Sequence, residues 1–360
     1  MDLKFKKRLI DKVAFEACSV FDVNDDGISD IICGENWYEG PDYIKKHKIC
    51  DLGTADEYFH DFSDYGMDVD GDGLIDIVTG SWWTGSIDWL RNPGGGAGPW
   101  EKTLVDKCGA VETVRFIDID GCGTPEVIPN TPGNPQAIYK LIKDADGKGA
   151  GSFEKFIIYE KTGHGMGFGD ITGNGRIDLI YGNGWLEQPD DIWTGTWIFH
   201  PEFNFEGAAS VPIIGHDITG NGLTDIIIGN AHGYGLFWYE QMLASDSSRS
   251  WVRHDIDLAG AEYHDMILYD IDGDGQIELV TGKRYRSHLG NDPGDNDNVF
   301  IYYFKINGGE FEKHIIDYGP ASEHSGVGIY FWIADMNGDG RPDIIAPGKE
   351  GLYLFENLGY

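Results

Sequence analysis

The sequence has few basic residues for its length. It contains 27 Lys and Arg against 61 Asp and Glu, and its formal net charge at pH 7 is −34. A surface with this excess of negative charge repels a phosphate backbone, so we expect no nucleic-acid partner. Many of the acidic residues fall in short Asp/Gly segments, which indicates cation-binding or turn chemistry rather than a uniformly acidic surface.

Long apolar runs and paired cysteines are also missing. No apolar stretch is long enough to cross a bilayer, and the basic N-terminus, MDLKFKKRLIDKV, lacks the apolar segment of a signal peptide. The five cysteines are scattered and form no CxxC pair, which is typical of reduced thiols in a cytoplasm. We therefore predict a cytoplasmic protein with no membrane partner.

The sequence does contain a repeat. An apolar strand, an Asp/Gly turn and a second apolar strand return seven times, at intervals of 46 to 65 residues. We call the turns the Asp/Gly loops. They read DVNDDGISD from Asp22, DVDGDGLID from Asp68, DIDGCGTPE from Asp118, DITGNGRID from Asp170, DITGNGLTD from Asp217, DIDGDGQIE from Asp270 and DMNGDGRPD from Asp335. A fixed repeat of this length predicts one supersecondary unit per copy, each burying its apolar faces against its neighbours.

Each copy predicts four short strands. An aromatic strand and a final strand such as WEKTLV or FEKFII follow the two strands around the Asp/Gly loop, and no amphipathic helical window is present. The seventh copy ends after its third strand, and residues 3–10 resemble the missing fourth. We therefore predict an all-β, seven-bladed β-propeller of four-stranded antiparallel blades. It forms a single domain over residues 1–360, and the N-terminal strand closes the last blade.

This pattern resembles the FG-GAP/VCBS repeat family of seven-bladed β-propellers, which includes the head of the integrin α-subunit. The stretch from His264 to His324 is also similar to the propeller of aldos-2-ulose (1,5-anhydrofructose) dehydratase and to propeller polysaccharide lyases. The first resemblance implies the fold and leaves the activity open, since propellers carry many unrelated functions. The second implies a histidine-rich, metal-bearing site on the propeller axis.

The Asp/Gly loops are candidate sites for Ca²⁺ or Mg²⁺. Positions 1, 3, 5 and 9 carry side-chain oxygens, and a tight loop can direct several of them at one hard cation. The alternative is that these side chains only cap backbone N–H groups and hold the turn. The four loops with the fullest ligand sets contain Asp22, Asn24, Asp26 and Asp30; Asp68, Asp70, Asp72 and Asp76; Asp270, Asp272, Asp274 and Glu278; and Asp335, Asn337, Asp339 and Asp343.

Histidine and glutamate recur before the innermost strand of most copies, at the end opposite the Asp/Gly loops. Imidazole clusters with an open coordination position are typical of catalytic divalent metals. We therefore predict an axial metal of the zinc, manganese, iron or nickel type; the alternative is a hydrogen-bonded plug. The candidate metal ligands or bases are His60, His164, His264 and His324, and the candidates for acid–base assistance are Glu16, Glu112, Tyr285 and His288.

The loops between the second and third strands are expected to reach the same face. Their aromatic, amide and cationic side chains suit a sugar, because aromatic rings stack on pyranose C–H surfaces. Residues 283–298 form the longest of these loops and are a candidate lid. The predicted substrate-binding residues are Glu35, Asn36, Trp37, Trp82, Trp83, Asn183, Trp185, Asn230, His232, Lys283, Arg284, Arg286 and Lys349.

These features favour a carbohydrate lyase or dehydratase that performs metal-assisted β-elimination on a small-molecule or oligosaccharide substrate. Two alternatives stay open. One is a non-catalytic propeller that binds a glycan or a protein. The other is a glycoside hydrolase in the same pocket, which needs two opposed carboxylates such as Glu16 and Glu112.

Overall fold

The computed structural model describes residues 2–95 and 98–360, and every regular element in that part of the chain is a β-strand. The chain forms two compact units. Unit 1 comprises Met1–Glu160 and Val327–Tyr360, and unit 2 comprises Lys161–Gly326. The described residues include no helix with the length and apolar character needed to cross a membrane. All five cysteines are free thiols.

Unit 1 begins with fifteen strands. They are β1 (Phe5–Asp11), β2 (Ser19–Phe21), β3 (Asp30–Cys33), β4 (Asn36–Tyr38), β5 (Lys46–Lys48), β6 (Thr54–Ala55), β7 (Tyr58–Phe59), β8 (Asp64–Met67), β9 (Asp76–Ser81), β10 (Ser86–Arg91), β11 (Glu101–Lys107), β12 (Thr113–Ile117), β13 (Glu126–Asn130), β14 (Gln136–Lys143) and β15 (Gly149–Tyr159).

Unit 2 contains the next twelve strands, and the chain then returns to unit 1 for three more. Those of unit 2 are β16 (Gly167–Gly169), β17 (Asp178–Tyr181), β18 (Gly184–Glu187), β19 (Ile198–His200), β20 (Ile213–His216), β21 (Asp225–Gly229), β22 (Tyr234–Leu243), β23 (Arg249–Ala261), β24 (Met266–Tyr269), β25 (Glu278–Gly282), β26 (Val299–Asn307) and β27 (Glu310–Gly319). The last three are β28 (Trp332–Ala334), β29 (Asp343–Ala346) and β30 (Leu352–Asn357).

The strands form four-stranded antiparallel sets, as the repeat predicts. In unit 1 the sets are β2–β5, β8–β11, β12–β15 and β28–β30 with β1, and β6 and β7 form a separate hairpin. The N-terminal strand β1 pairs antiparallel with β30, from Phe5 opposite Asn357 to Asp11 opposite Leu352. The predicted fourth strand of the last set is thus confirmed.

In unit 2 the set β24–β27 is separate, whereas β16–β19 and β20–β23 join into one eight-stranded sheet. The join is a short parallel pairing of Gly167 with Ile213 and of Phe168 with Ile214. Glycine is required at 167, because a Cβ there would lie 1.6 Å from the carbonyl oxygen of Ile213. This close approach of two inner strands was not predicted.

Each Asp/Gly loop connects the first and second strands of a set and is held by its own carboxylates. At the ninth position of the first loop, Asp30 accepts hydrogen bonds from the backbone N–H groups of Val23 (2.9 Å) and Gly40 (2.8 Å). Asp76, Asp178, Asp225 and Asp343 make equivalent pairs of bonds. These buried carboxylates tie the loop to the end of the third strand, which is the capping role left open above.

Aromatic side chains of the third strands fill the core and stack on histidines of the fourth strands. Trp37 stacks on His47 with ring centroids 4.0 Å apart, and Trp185 stacks on His200 at 4.1 Å. The same pairing joins Trp238 to His254 and Tyr303 to His314. Four of the 11 histidines therefore belong to the packing between third and fourth strands.

Candidate metal centre

Three histidines of unit 2 meet at one point, and we call them the three-histidine cluster. His164 and His264 each precede the first strand of a set, whereas His232 lies in the turn between β21 and β22. One ring nitrogen from each lies within 4.8 Å of the others. The structure thus brings together two of the four predicted axial histidines. It adds a third residue that the sequence analysis had assigned to substrate binding.

A hydrogen bond fixes the tautomer of His164, and Nδ1 of His232 lies near a carboxylate. Nδ1 of His164 lies 2.9 Å from the carbonyl oxygen of Ala209, and Nδ1 of His232 lies 3.1 Å from Oδ2 of Asp292. A carbonyl oxygen only accepts, so Nδ1 of His164 carries the proton and its Nε2 presents a lone pair when the ring is neutral. Those two Nε2 atoms lie 3.0 Å apart. His232 either donates an Nε2–H to the lone pair of His164 or, with its proton on Nδ1, presents a second lone pair that needs a cation beside it.

His264 completes the cluster from a fully buried position, with 0% of its surface exposed. Its ring centroid lies 5.8 Å from that of His164 and 5.9 Å from that of His232. Proteins bind zinc and related metals with neutral imidazole rings whose other nitrogen is hydrogen-bonded to a carbonyl or a carboxylate. The residues present therefore fit a divalent transition metal held by nitrogen ligands.

The 283–298 loop supplies a histidine–carboxylate pair beside the cluster. Nδ1 of His288 lies 2.7 Å from Oδ2 of Asp292, which is the same oxygen that contacts His232. The rings of His232 and His288 are stacked, with centroids 4.1 Å apart. His288 is exposed, so its Nε2 is the nitrogen that remains for proton transfer.

Glu262 is a buried carboxyl group of this site that the sequence analysis missed. Its Oε2 accepts a hydrogen bond from the Ser287 hydroxyl and lies 3.9 Å from Nδ1 of His232. Burial raises the pKa of Glu262 to about 8, because the Ser287 hydrogen bond and the charge of Lys283 offset only part of the desolvation. The only sequence signal for Glu262 is its position two residues before His264. The alternation of side chains along a strand does not predict where Glu262 points, because this residue adopts a positive φ of 62°.

Three of the predicted acid–base and ligand residues belong to unit 1. His60 stacks on Trp83, with centroids 5.5 Å apart, and burial lowers its pKa. Glu16 is buried and lies 3.6 Å from the Lys349 ammonium, which in turn lies over the Tyr58 ring. Glu112 is buried, with its backbone N–H bonded to the Asn130 carbonyl. Among the described residues, several groups of three or more His, Cys, Asp or Glu side chains lie close enough to hold a metal ion. His60 belongs to none of these groups.

The remaining predictions in unit 2 have mixed outcomes. His324 is absent from the same groups of adjacent side chains, and its Nδ1 lies 2.6 Å from Oδ1 of Asp317. Lys283 is buried and donates to the Gly294 carbonyl, and Arg286 donates to Asn296 Oδ1 (2.9 Å). These two contacts stabilise the 283–298 loop, a role that differs from the predicted binding of substrate charge. Arg284 is buried, and Tyr285 is half-buried in the same loop.

Two of the predicted sugar-stacking residues are wrong. Trp37 is 1% exposed and Trp185 is 0% exposed, and both rings are occupied by the histidine stacking described above. Trp82 and Asn183 are exposed, and Trp83 is half-buried. Glu35 accepts a hydrogen bond from the Leu52 N–H, Asn36 pairs with Lys48 across the strands, and Asn230 bonds within its own turn.

The Asp/Gly loops hold carboxylates close together and also carry basic side chains. Asp68, Asp70 and Asp76 converge in the second loop, and Asp270, Asp272 and Glu278 converge in the sixth. The guanidinium of Arg91 contacts Asp70 and Asp72, and Lys305 contacts Asp272 and Asp274. In these two loops a basic side chain therefore competes with any metal ion for the same oxygens.

Comparisons with known proteins identify the repeat. The family model of the FG-GAP-like repeat matches residues 68–128 and 270–346. The described residues thus form an all-β structure of four-stranded antiparallel sheets that contains FG-GAP-like repeats in these two segments. No curated protein matches the sequence.

Solved structures resemble the chain at low sequence identity. A candidate phosphatase from Bacteroides thetaiotaomicron VPI-5482 is 9% identical with a TM-score of 0.51, covering 100% of this chain and 80% of that one. The biofilm matrix protein Bap1 of V. cholerae is 11% identical with a TM-score of 0.49, covering 99% and 92%. An auxiliary nutrient binding protein from B. thetaiotaomicron VPI-5482 is 9% identical with a TM-score of 0.44, covering 82% and 70%. The first of these likenesses indicates a shared fold and nothing about activity.

Proposed function

We propose that this protein is a metal-dependent carbohydrate lyase whose reaction takes place at the three-histidine cluster. The observation that carries the proposal is the convergence of one ring nitrogen from each of the three histidines, with the Nε2 atoms of His164 and His232 3.0 Å apart. His164, His232 and His264 would hold the metal. A divalent metal at this point would polarise a carbonyl or carboxylate oxygen of the substrate.

The proton transfers are assigned to the 283–298 loop. His288 is exposed and its Nδ1 is held by Asp292, so Nε2 is oriented as a base. His288 takes the proton from the carbon next to the substrate's carbonyl or carboxylate. The electron pair of that C–H bond forms the C=C bond as the C–O bond on the neighbouring carbon breaks. The departing oxygen takes a proton from Tyr285, the tyrosine of this loop.

A lyase of this kind is tested by the product that it forms. We would incubate the metal-loaded protein with keto-glycosides, oxidised sugars and uronate-containing oligosaccharides. A conjugated C=C bond gives new ultraviolet absorbance, whereas hydrolysis gives only new reducing ends. We expect absorbance that grows with time and that His288→Ala lowers by roughly 100-fold, the scale of a general base. His254→Ala, which alters a histidine of a Trp–His stack, is the matched control and should keep its activity.

The other outcomes of this screen each contradict the lyase. Reducing ends without absorbance would favour the hydrolase alternative, with Glu16 and Glu112 as the carboxylates to mutate. Sugar binding without turnover across the panel would favour the non-catalytic binding propeller.

We further propose that the seven four-stranded sets form one closed seven-bladed propeller. Support comes from the four sets of unit 1, the three sets of unit 2 and the pairing of β1 with β30. Closure of the ring would leave no exposed sheet edge.

Ca²⁺ or Mg²⁺ binding in the Asp/Gly loops is also a proposal. The second loop carries it best, because Asp68, Asp70 and Asp76 converge there. Arg91 contacts two carboxylates of this loop, so Arg91→Gln should free them and tighten Ca²⁺ binding. A calcium titration followed by melting temperature checks this. A melting temperature that Ca²⁺ leaves unchanged, in both the parent and Arg91→Gln, would exclude the site.

A further inference from the structure

A groove of about 640 Å³ lies along β26 and β27 of unit 2, and it contains no member of the three-histidine cluster. Its walls are the end of β23 around Gly260, residues 296–298 of the 283–298 loop, and side chains of the two strands. Tyr302 and Tyr318 are its tyrosines. We call it the β26–β27 groove.

The groove offers an aromatic surface next to an amide. Tyr318 is 51% exposed and supplies that surface, whereas Tyr302 is buried with its ring stacked on Phe300, centroids 4.3 Å apart. Asn298 is exposed, and its side-chain amide makes no hydrogen bond with any of the residues that the structure describes. Aromatic faces with a few amide groups suit the C–H surfaces and hydroxyls of a pyranose.

Two ammonium groups and two carboxylates lie at or beside the groove, and each is hydrogen-bonded within the protein. The ammonium of Lys313 lies 3.0 Å from Asp257, and that of Lys283 donates to the Gly294 carbonyl. The carboxylate of Asp297 accepts a hydrogen bond from the Tyr234 hydroxyl (2.6 Å). With a formal net charge of −34 on the chain, an anionic ligand gains nothing here. The groove therefore favours an uncharged ligand.

One wall is rigid for an identifiable reason. A Cβ at residue 260 would lie 2.2 Å from the Tyr263 hydroxyl, so only glycine lets β23 pass at this place. That hydroxyl donates to Asp257 (2.6 Å), which also accepts from Lys313. This hydrogen-bond network fixes that wall of the groove before a ligand binds, which lowers the cost of ordering it on binding.

We propose that the β26–β27 groove is a binding site for neutral oligosaccharides. Tyr318 stacks on a pyranose face, and the Asn298 amide binds its hydroxyls. The site is separate from the proposed lyase centre and does not depend on it, although one loop contributes Asp292 to the centre and Asn298 to the groove.

The test uses isothermal titration of the full chain with cellohexaose, xylohexaose, mannohexaose and maltohexaose, and with hexagalacturonate as the acidic comparison. We expect at least one neutral hexaose to bind. Tyr318→Ala should weaken it about tenfold or more, as loss of a stacking surface does. Asn298→Ala, on an exposed loop, is the second variant and should also weaken binding. Tyr269→Ala removes an exposed tyrosine of the same unit outside the groove and should have no effect.

His264→Ala separates this proposal from the lyase. It should keep the affinity for the hexaose while the metal is lost. If no neutral hexaose binds, if only hexagalacturonate binds, or if Tyr318→Ala and Asn298→Ala both bind like the parent, the groove is not a saccharide site.

Discussion

At the scale of single residues, two kinds of histidine share this chain. His47, His200, His254 and His314 stack on third-strand aromatics, and three of them contact a glutamate of the adjoining strand within 3.0 Å. His164, His232 and His264 instead direct ring nitrogens at one another. The first kind stabilises the sheets, and the second carries the proposed chemistry.

The first prediction concerns Trp185, which stacks on His200. Trp185 is fully buried, and its indole N–H donates to Glu202 (3.1 Å), so Trp185→Ala should lower the free energy of unfolding by about 3–5 kcal/mol. Trp82→Ala, at a 37% exposed position, should cost about 0.5 kcal/mol or less. Urea unfolding of both variants measures this. Similar small losses would show that Trp185 is not part of the core.

The ninth-position carboxylates give a prediction on pH. Burial raises the pKa of Asp178 to about 6, against the effect of its two backbone hydrogen bonds. Because the folded-state pKa is above the unfolded value of about 4, the stabilising contribution is present below pH 4 and is lost as pH rises toward 6. In Asp178→Asn, the free energy of unfolding should therefore decrease less steeply with pH over this range, by up to about 1 kcal/mol per pH unit.

Chemical unfolding at a series of pH values, with chelator present, measures that slope. Asn keeps only one of the two oxygens that accept the N–H groups of Ile171 and Gln188, so the variant should also be less stable at every pH. An unchanged slope would show that Asp178 is ionised in the folded protein throughout the range.

At the scale of elements, the edge of the last set depends on a strand from the other end of the chain. β1 pairs with β30, and Lys6 and Lys7 lie over Glu356 and the aromatic residues of β30. Deleting residues 2–11 should expose the N–H and C=O groups of β30 and cause aggregation or a large fall in melting temperature. Light scattering and calorimetry check this. A monomeric truncated protein of unchanged stability would contradict the role of β1.

Elements were easier to predict than sites. The Asp/Gly turns recur between apolar strands. A tight turn forces its two strands to pair, and their apolar faces must then be buried, so the fold of each set can be predicted. The position of His232 was harder, because it lies in a turn of variable sequence, and only the packing of β21 and β22 carries it to His164. Trp37 and Trp185 were misassigned because a tryptophan that follows a Gly/Asn break can lie either at the ligand-binding rim or in the core. The sequence does not show which histidine it stacks on.

At the scale of the whole molecule, the strong negative charge and the cluster of neutral nitrogen ligands both favour cations, but of different classes. Oxygen-rich Asp/Gly loops suit Ca²⁺ or Mg²⁺, whereas imidazole suits zinc, nickel or iron. Saturating the loops with Ca²⁺ therefore leaves the three-histidine cluster as the preferred place for a transition metal.

The most direct test of the account is the metal content of the full chain, measured by mass spectrometry after loading with zinc, manganese, iron(II) or nickel in excess Ca²⁺ and removal of free metal. About one transition-metal ion per chain should remain, since three imidazole ligands bind it. It should be lost in His164→Ala and His264→Ala and kept in His200→Ala, whose histidine stacks on Trp185. A parent protein that retains none of these metals, or a His164→Ala variant that retains as much as the parent, would contradict the account.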